Sequence, residues 1–155
     1  MQIEPIYRVV LFGHRDFDGH RLLDERLGSI LTELLRERSS LEIYIGRNGE
    51  FDRYAASVIK RMKRTLGEVR IALYCVLPYP EKDMEDFEGY YDGVIIPEYE
   101  KRPHPKSAIK QRNRRMVEAA DLVICYVEKK SGGAYDSVRY AQKLGKKTVN
   151  LAKRE

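Results

Sequence analysis

The chain alternates short, mostly apolar runs with longer segments in which apolar residues recur every three or four positions. The short runs are YRVVLF at 7–12, LEIYI at 41–45, VRIALYCVL at 69–77, DLVICYV at 121–127 and KKTVNLA at 146–152. Continuous runs of this kind predict strands that are buried on both faces of a sheet. The longer segments between them predict amphipathic helices, so the alternation predicts a mostly parallel sheet with helices on both faces.

The predicted helices connect these strands in order. The first has an apolar stripe from Leu23 to Leu34, and the second has one from Phe51 to Met62. Two further helices are predicted at 107–120 and at 135–144. The sequence has no internal repeat, and 155 residues are enough for one compact core. We therefore predict an α/β fold consisting of a single Rossmann-like domain over residues 1–155.

Residues 78–106 interrupt the alternation. They contain five of the six prolines, an acidic patch and four tyrosines, and within them only GVIIPE resembles a strand. Long irregular connections are uncommon in compact domains and often serve as lids or binding loops. Two interpretations are open for this segment: a lid, or a surface excursion that is packed by its own tyrosines.

Composition adds three expectations. The net charge of +5 arises from 29 basic and 24 acidic residues, which favours an anionic partner only weakly. No apolar stretch approaches the roughly 20 residues of a membrane span, and the first residues lack the features of a signal peptide, so we expect a cytoplasmic protein without a membrane partner. Cys75 and Cys125 lie inside apolar runs at a separation that fits no metal-ligand spacing. We expect both to be buried, reduced thiols, and we expect no metal site.

Glycine-containing turns follow three of the predicted strands. The turn residues of interest are Gly13, His14 and Arg15 after the first strand, Gly46, Gly49 and Asp52 after the second, and Ser131, Gly132 and Gly133 after the strand at 121–127. Ligands of open parallel sheets bind beyond the carboxyl ends of the strands, where the strand order reverses. Glycine allows close approach of a ligand to the backbone, and a following helix N-terminus attracts anions. We predict a phosphate-binding pocket between the first and third turns.

The predicted helix at 107–120 carries polar residues toward the sheet. Its apolar face runs from Ile109 to Ala120 and includes the position of Asn113, whereas Arg112 lies at the edge of this face and Arg114 points away. Polar groups that face a core need hydrogen-bond partners. The partner is either a ligand phosphate or ribose, or a carbonyl group of a loop.

Together these segments resemble the SLOG superfamily, which includes the DNA-processing protein DprA and the LOG phosphoribohydrolases. The resemblance rests on GHRDF after the first strand, the turn ending at Asp52, and RNRRMVEAADLVICYVEKKSGGAYDSVRYAQKLGKKTVN. It covers nearly the whole chain and is strongest to a branch of small bacterial members that have a GHR turn, an R-N-x-x-M helix and a G-G turn. The resemblance implies a Rossmann-like fold that binds a nucleotide or a nucleotide-derived ligand. The positions implied are Gly13, His14, Arg15, Gly46, Gly49, Asp52, Arg112, Asn113, Gly132 and Gly133.

The chain departs from the LOG enzymes at a catalytic position. Their P-G-G-x-G-T-x-x-E turn ends in a glutamate that serves the cleavage of an N-glycosidic bond, whereas this chain has S-G-G-A-Y-D-S-V-R with Val138 at that position. Asp136 is a candidate substitute, although an aspartate at a helix start is more often a cap. His14 is the other candidate acid or base, unless it orders its turn by a hydrogen bond to a loop carbonyl.

We therefore expect a non-catalytic or sensory domain that binds a small phosphate-bearing ligand and needs no separate cofactor. Its oligomeric state, monomer or homo-oligomer, is open. One alternative is an N-glycosidase or a nucleoside deoxyribosyltransferase-like enzyme, to which residues 120–145 are also similar. Another is DprA-like binding of single-stranded DNA, which the pI of about 9.1 and the basic clusters at 60–64 and 143–147 would suit. Neither cluster contains an aromatic residue on which bases could stack, so this alternative ranks last.

Overall fold

The computed structural model describes residues 4–153. These residues form six strands and five helices in an alternating order. The elements are β1 (Arg8–Gly13), α1 (His20–Glu37), β2 (Leu41–Ile45), α2 (Glu50–Leu66), β3 (Ile71–Val76), α3 (Met84–Tyr90), β4 (Gly93–Ile95), α4 (Pro105–Ala119), β5 (Leu122–Tyr126), α5 (Gly133–Lys143) and β6 (Lys147–Asn150). In this part of the chain, no helix is both long enough and apolar enough to cross a membrane.

All six strands are parallel and lie in the order β4-β3-β2-β1-β5-β6. The chain moves outward from β1 to β4 and then crosses back to place β5 on the other side of β1. The strand order therefore reverses between β1 and β5, which pair from Val9 opposite Leu122 to Gly13 opposite Tyr126. This architecture confirms the predicted α/β Rossmann-like fold with a parallel sheet.

Two hydrophobic clusters cover the two faces of the sheet. On one face, α1 and α2 contribute the predicted stripes, in which Leu23, Leu27 and Phe51 are fully buried. On the other face, residues of α4 and α5 such as Val117 and Ala141 pack against β1 and β5. The helices thus cover both faces, as the alternation predicts.

The strands are shorter than the apolar runs that predict them. The strand predicted at 69–77 begins only at Ile71, because Gly67 has a φ of 125° and starts a turn in which Val69 is 94% exposed. Burial also differs among the strands. All of β5 is buried, whereas β2 and β3 alternate buried and half-buried residues, since α4 and α5 lie mainly over β1, β5 and β6 on that face.

The excursion at 78–106 is more ordered than the sequence indicates. Part of the predicted GVIIPE segment forms the edge strand β4, and a helix, α3, precedes it. The helix α3 was not predicted from the sequence, because a seven-residue helix with one buried residue, Phe87, shows no apolar period. Asp92 pairs with Lys63 of α2 and accepts a hydrogen bond from the Leu73 amide at 2.7 Å. The excursion is therefore anchored to α2 and β3 at the edge of the sheet.

Candidate functional site

A cavity of about 490 Å³ opens at the carboxyl ends of β1 and β5, where the strand order reverses. It is lined by all eleven residues that the sequence analysis nominated for ligand binding: Gly13, His14, Arg15, Gly46, Gly49, Asp52, Arg112, Asn113, Ser131, Gly132 and Gly133. The structure thus brings the three turns and α4 together, and their role in binding stays a prediction. None of residues 78–106 lines this cavity. In the structure the excursion therefore does not cover it.

Several lining residues were not predicted from the sequence. The apolar wall is formed by Leu11, Ile109 and Met116, and the polar rim includes Asp16, Asn48 and Lys129. Lys129 and Asp16 follow strands directly, so their distance from a strand end was the signal that could have identified them. The apolar wall had no such signal, because its residues resemble ordinary core positions.

His14 joins the turn after β1 to the turn after β5. Its Nε2 atom accepts hydrogen bonds from the backbone N–H groups of Glu128 and Lys129, each at 3.1 Å. Nε2 is therefore unprotonated, and the proton of the neutral ring is on Nδ1. Burial, together with the charge of Lys129, lowers the pKa of His14. The hydrogen bond predicted between His14 and a loop carbonyl is wrong in its partner, because the imidazole accepts from two backbone amides. His14 does order the turn by these bonds.

The turns after β1 and β2 are locked together by backbone contacts. Arg15 Nε donates to the carbonyl of Asn48 at 2.9 Å, and the Arg15 carbonyl accepts from the amide of Glu50 at 3.0 Å. The amide of Asn48 donates to the carboxylate of Asp52 at 3.0 Å. A Cβ atom at Gly49 would lie 2.6 Å from the Cα of Arg15, so this close approach requires glycine.

Glycine occurs in the three turns for different physical reasons. A Cβ atom at Gly13 would lie 2.0 Å from the ring of Phe51, and one at Gly46 would lie 2.8 Å from Nη1 of Arg112. These two glycines, like Gly49, are required by packing within the protein. At Gly132, where φ is 94°, an added Cβ would meet nothing within 4 Å, and at Gly133 it would meet only Asn113 Nδ2, at 3.8 Å. Among the three turns, the one after β5 leaves its backbone open to the cavity.

The N-terminus of α5 borders this open space. No side chain caps the helix, and its first intrahelical bond at this end runs from the amide of Asp136 to the carbonyl of Gly132 at 3.0 Å. The N–H groups of the first three helical residues, 133–135, therefore have no intrahelical acceptor. Such N–H groups, at the positive end of the helix dipole, favour an anion.

Arg112 is the most deeply buried charged group at the cavity, with an exposure of 4%. Its Nη1 donates to the carbonyl of Val76 at 2.9 Å and its Nε donates to Oδ1 of Asn113 at 3.0 Å, whereas Nη2 donates to no atom within residues 4–153. In that same range no carboxylate lies within 4.0 Å of the guanidinium. Burial lowers the pKa of Arg112, which remains protonated at neutral pH. The charge of Asp52 opposes this effect from more than 4.0 Å away. A buried cation that lacks a contacting counterion is costly, and a bound anion would reduce that cost.

The positions of Arg112 and Asn113 differ from the helical projection. The projection placed Asn113 within the apolar face of α4 and Arg112 at its edge, but the structure buries Arg112 and leaves Asn113 half-buried. The long side chain of Arg112 reaches inward to a carbonyl at the end of β3, which a projection from Cα positions does not show. Arg114 is exposed, as predicted.

Asp52 is the carboxyl group most perturbed by the site. Burial raises its pKa to about 6, while the Asn48 amide and the positive charge of Arg112 act in the opposite direction. A carboxyl group that titrates near neutrality and lines a cavity is a candidate for function.

The candidate substitute for the LOG glutamate lies outside the cavity. Asp136 is exposed on the first turn of α5 and borders a neighbouring groove instead. Val138, at the position of the LOG glutamate, is buried in the core between α5 and the sheet. Neither residue lines the cavity at the ends of β1 and β5.

No family model and no curated protein matches the sequence. Solved structures do match the fold. DNA processing protein A (DprA) of Streptococcus pneumoniae superposes with a TM-score of 0.68 and 17% identity over 92% of this chain and 49% of that one. DprA of Helicobacter pylori, whose structure is described for its single-stranded DNA binding mode, superposes with a TM-score of 0.62 and 21% identity. That match covers 92% of this chain and 63% of the Helicobacter pylori chain. This chain thus spans less than two thirds of the length of those proteins, and at these identities the likeness establishes the fold alone.

Proposed function

We propose that the cavity binds a nucleotide or a nucleotide-derived ligand through a phosphate, and that the chain serves as a non-catalytic or sensory domain. The observation that carries the proposal is the open, uncapped N-terminus of α5 facing the same cavity as the buried guanidinium of Arg112. A volume of about 490 Å³ lies within the range of small-ligand sites. The GHR, R-N-x-x-M and S-G-G segments support placing the chain in the small bacterial branch of the SLOG superfamily.

The lining groups divide the ligand into two parts. The phosphate lies against the amides of residues 133–135, where Nη2 of Arg112 and the Asn113 amide can donate to it. Arg15 and Lys129 add positive charge at the rim. The apolar side chains of Leu11, Ile109 and Met116 form a surface for the sugar and base. His14 remains neutral and holds the two flanking turns at a fixed distance.

The absence of hydrolysis is part of the proposal. Cleavage of a glycosidic bond needs a placed carboxyl group that stabilises the developing cation or activates water. The LOG glutamate position is filled by the buried Val138, and Asp136 faces a different groove. Neither position supplies the carboxyl group that the LOG enzymes use, and this supports binding and release of an unchanged ligand.

Gly133→Asp tests the proposed anion site. The new side chain would project into the open space and place a negative charge where the phosphate binds, while an aspartate at the helix start favours folding. At a concentration of 100 times Kd, a nucleoside monophosphate should stabilise the wild-type chain by about 2.7 kcal/mol, or roughly 5–10 °C in Tm. We expect Gly133→Asp to abolish this shift in a thermal melt.

Two variants serve as controls for this experiment. Gly133→Ala adds an uncharged Cβ at an ordinary 3.8 Å contact, and Asp136→Asn changes a carboxylate outside the cavity. Both should keep most of the nucleotide-induced shift. An unchanged shift in Gly133→Asp, or the absence of any shift across a panel of nucleotides in the wild-type chain, would contradict the proposal.

An enzyme is the first alternative, and Asp52 is the observation that favours it. Its carboxyl group lines the cavity and has a pKa of about 6, which suits an acid or base near neutrality. Release of free base from a nucleoside monophosphate, detected by chromatography and lost in Asp52→Asn, would establish this alternative and remove the non-catalytic proposal.

Binding of single-stranded DNA is the second alternative, and the structural likeness to DprA favours it. In each of the two basic clusters that suggested it, cations are already engaged by other groups of the protein. Lys60 donates to the carbonyl of Tyr90, Lys63 pairs with Asp92, and Lys146 donates to two carbonyls at the end of α4. A DNA surface would therefore have to use the remaining cations of these clusters or cations elsewhere.

A further inference from the structure

A second, larger cavity adjoins the candidate site. It is a groove of about 1140 Å³ between α4 and α5. Its basic lining residues, which we call the groove cations, are Lys106, Lys110 and Arg114 of α4 and Arg139 and Lys143 of α5. The groove shares Ile109, Asn113 and Gly133 with the first cavity. The two spaces therefore meet at Asn113 and Gly133.

The groove cations have no counterions in the structure. Eight ion pairs occur among residues 4–153, and none of the five groove cations takes part in them. The carboxylate of Glu118 accepts a hydrogen bond from the hydroxyl of Tyr140 at 2.6 Å. Arg114 lies over the Tyr140 ring, 5.1 Å from the ring centroid. Asp136 is the one acidic residue in the described lining. Cations that converge from two helices repel each other, and a bound anion would relieve that repulsion.

Charge along the sequence is segregated in the same direction. Residues 101–155 contain 15 basic and 5 acidic residues, whereas residues 79–100 contain 1 basic and 8 acidic residues. The last third of the chain, which forms α4 and α5, therefore carries most of the positive charge. The excursion with α3 carries a compensating negative charge at the edge next to β3. The small net positive charge of the whole chain therefore coexists with a strongly basic groove.

The groove extends away from the proposed phosphate position along α5. Gly133, Asp136, Tyr140 and Lys143 follow each other at intervals of three or four residues and so share one face of the helix. Ten residues of α-helix span about 15 Å. An anionic group near Lys143 is thus roughly 15 Å from one at the start of α5, which is more than a single phosphate can bridge.

We propose that the groove is a second anion-binding subsite and that the ligand carries two separated anionic groups, as in a dinucleotide with a phosphate at each end. This inference rests on the proposed function, because the first group is the phosphate at Gly133. The second group lies among Arg114, Arg139 and Lys143, and the connecting nucleoside passes over Asn113 and Gly133.

The test compares deoxyadenosine 5′-monophosphate with a deoxyadenosine dinucleotide that carries both a 5′- and a 3′-phosphate. Affinities are measured by calorimetry at about 0.15 M salt, where distant charges are screened. The wild-type chain should bind the dinucleotide at least tenfold more tightly. Arg139→Gln combined with Lys143→Gln should remove this advantage and leave the mononucleotide affinity within about twofold.

A matched control separates the groove from net charge. Arg21→Gln combined with Arg36→Gln makes the same change of two charges on exposed positions of α1, where the side chains are 95% and 70% exposed. This variant should keep the dinucleotide advantage. Equal affinity of the wild-type chain for the two ligands, or equal losses for both in the groove variant, would overturn the second subsite and leave the first one standing. Failure of the wild-type chain to bind either ligand would overturn both proposals.

An oligodeoxyadenylate of 12 nucleotides distinguishes a closed subsite from an open-ended track. Under the proposal its affinity exceeds that of the dinucleotide only by the statistical gain from overlapping registers, because the two subsites are already filled. A further gain of a hundredfold or more that is lost in the groove variant would show that the groove takes a continuous strand, and would overturn the assignment of a dinucleotide.

Discussion

At the scale of single residues, the site combines buried charge with an open backbone. Arg112 is a cation without a close counterion, and Asp52 is a carboxyl group whose ionised form is disfavoured by burial. The two lie on the same side of the cavity, where the would-be Cβ of Gly46 approaches both of them. The charge that the cavity presents to an anion therefore depends on whether Asp52 is ionised.

Asp52 predicts a pH dependence of anion binding. Its pKa of about 6 lies above the usual 3.8, so the folded state disfavours its ionised form, and its contribution to stability is lost as pH rises from about 4 through 6. Protonation also removes a negative charge from the cavity. The affinity for a phosphodiester, whose own charge does not titrate in this range, should rise roughly three- to tenfold between pH 7.5 and 5.5.

The measurement is a calorimetric titration at several pH values with the wild-type chain and Asp52→Asn. The variant should bind as tightly at pH 7.5 as the wild-type chain binds at pH 5.5, and its affinity should be nearly flat with pH. A pH dependence that persists in Asp52→Asn belongs to another group, of which His14 is the nearest candidate, and would refute the assignment to Asp52.

At the scale of elements, the sequence predicts the strands and helices that have a clear apolar period and the turns that follow strand ends. Every strand and four of the five helices were located, because their apolar patterns are long enough to show a period. The turns after β1, β2 and β5 were nominated because parallel strands end at one edge of a sheet. The helix α3 was missed because one buried residue, Phe87, makes no pattern. The depth of Arg112 was missed because a long side chain can reach a carbonyl that sequence spacing does not reveal.

At this scale too, the excursion at 78–106 is a separate element from the candidate site. Phe87 of α3 is 4% exposed and is covered by the guanidinium of Arg47 at 4.1 Å from the ring, and no residue of 78–106 lines the cavity. Phe87→Ala should lower the free energy of unfolding by about 3 kcal/mol, as for other buried phenylalanines, and should leave nucleotide affinity unchanged. Denaturant unfolding and calorimetry measure the two effects. A change of more than about threefold in affinity would show that the excursion acts as a lid.

At the scale of the whole molecule, charge is distributed unevenly over a nearly neutral composition. The strongly basic segment 101–153 forms one side of the sheet, and the acidic excursion lies at the β3–β4 edge. Electrostatic attraction of this kind acts over about a Debye length and weakens with salt. It brings polyanions to the surface without reading their sequence.

Single-stranded DNA should therefore bind weakly and electrostatically. If the site takes a small ligand, a 20-nucleotide oligothymidylate should bind no better than micromolar at about 0.15 M salt, with an affinity that falls steeply as salt increases. A mobility-shift assay over a salt series measures this. Nanomolar binding that resists salt would instead favour a DNA-binding function like that described for the Helicobacter pylori protein.

The reversal of strand order at β1 has a consequence for the order in which the site can be made. The turns after β1 and β2 are synthesised early, but Arg112, the turn after β5 and the start of α5 belong to the last third of the chain. A nascent chain that has emerged only as far as residue 104 can pair β1 to β4, yet it has just one side of the cavity. Because domains are synthesised from the N-terminus, the phosphate position is completed only when β5 inserts beside β1. The proposed site is therefore complete only in a chain that has been synthesised through the start of α5.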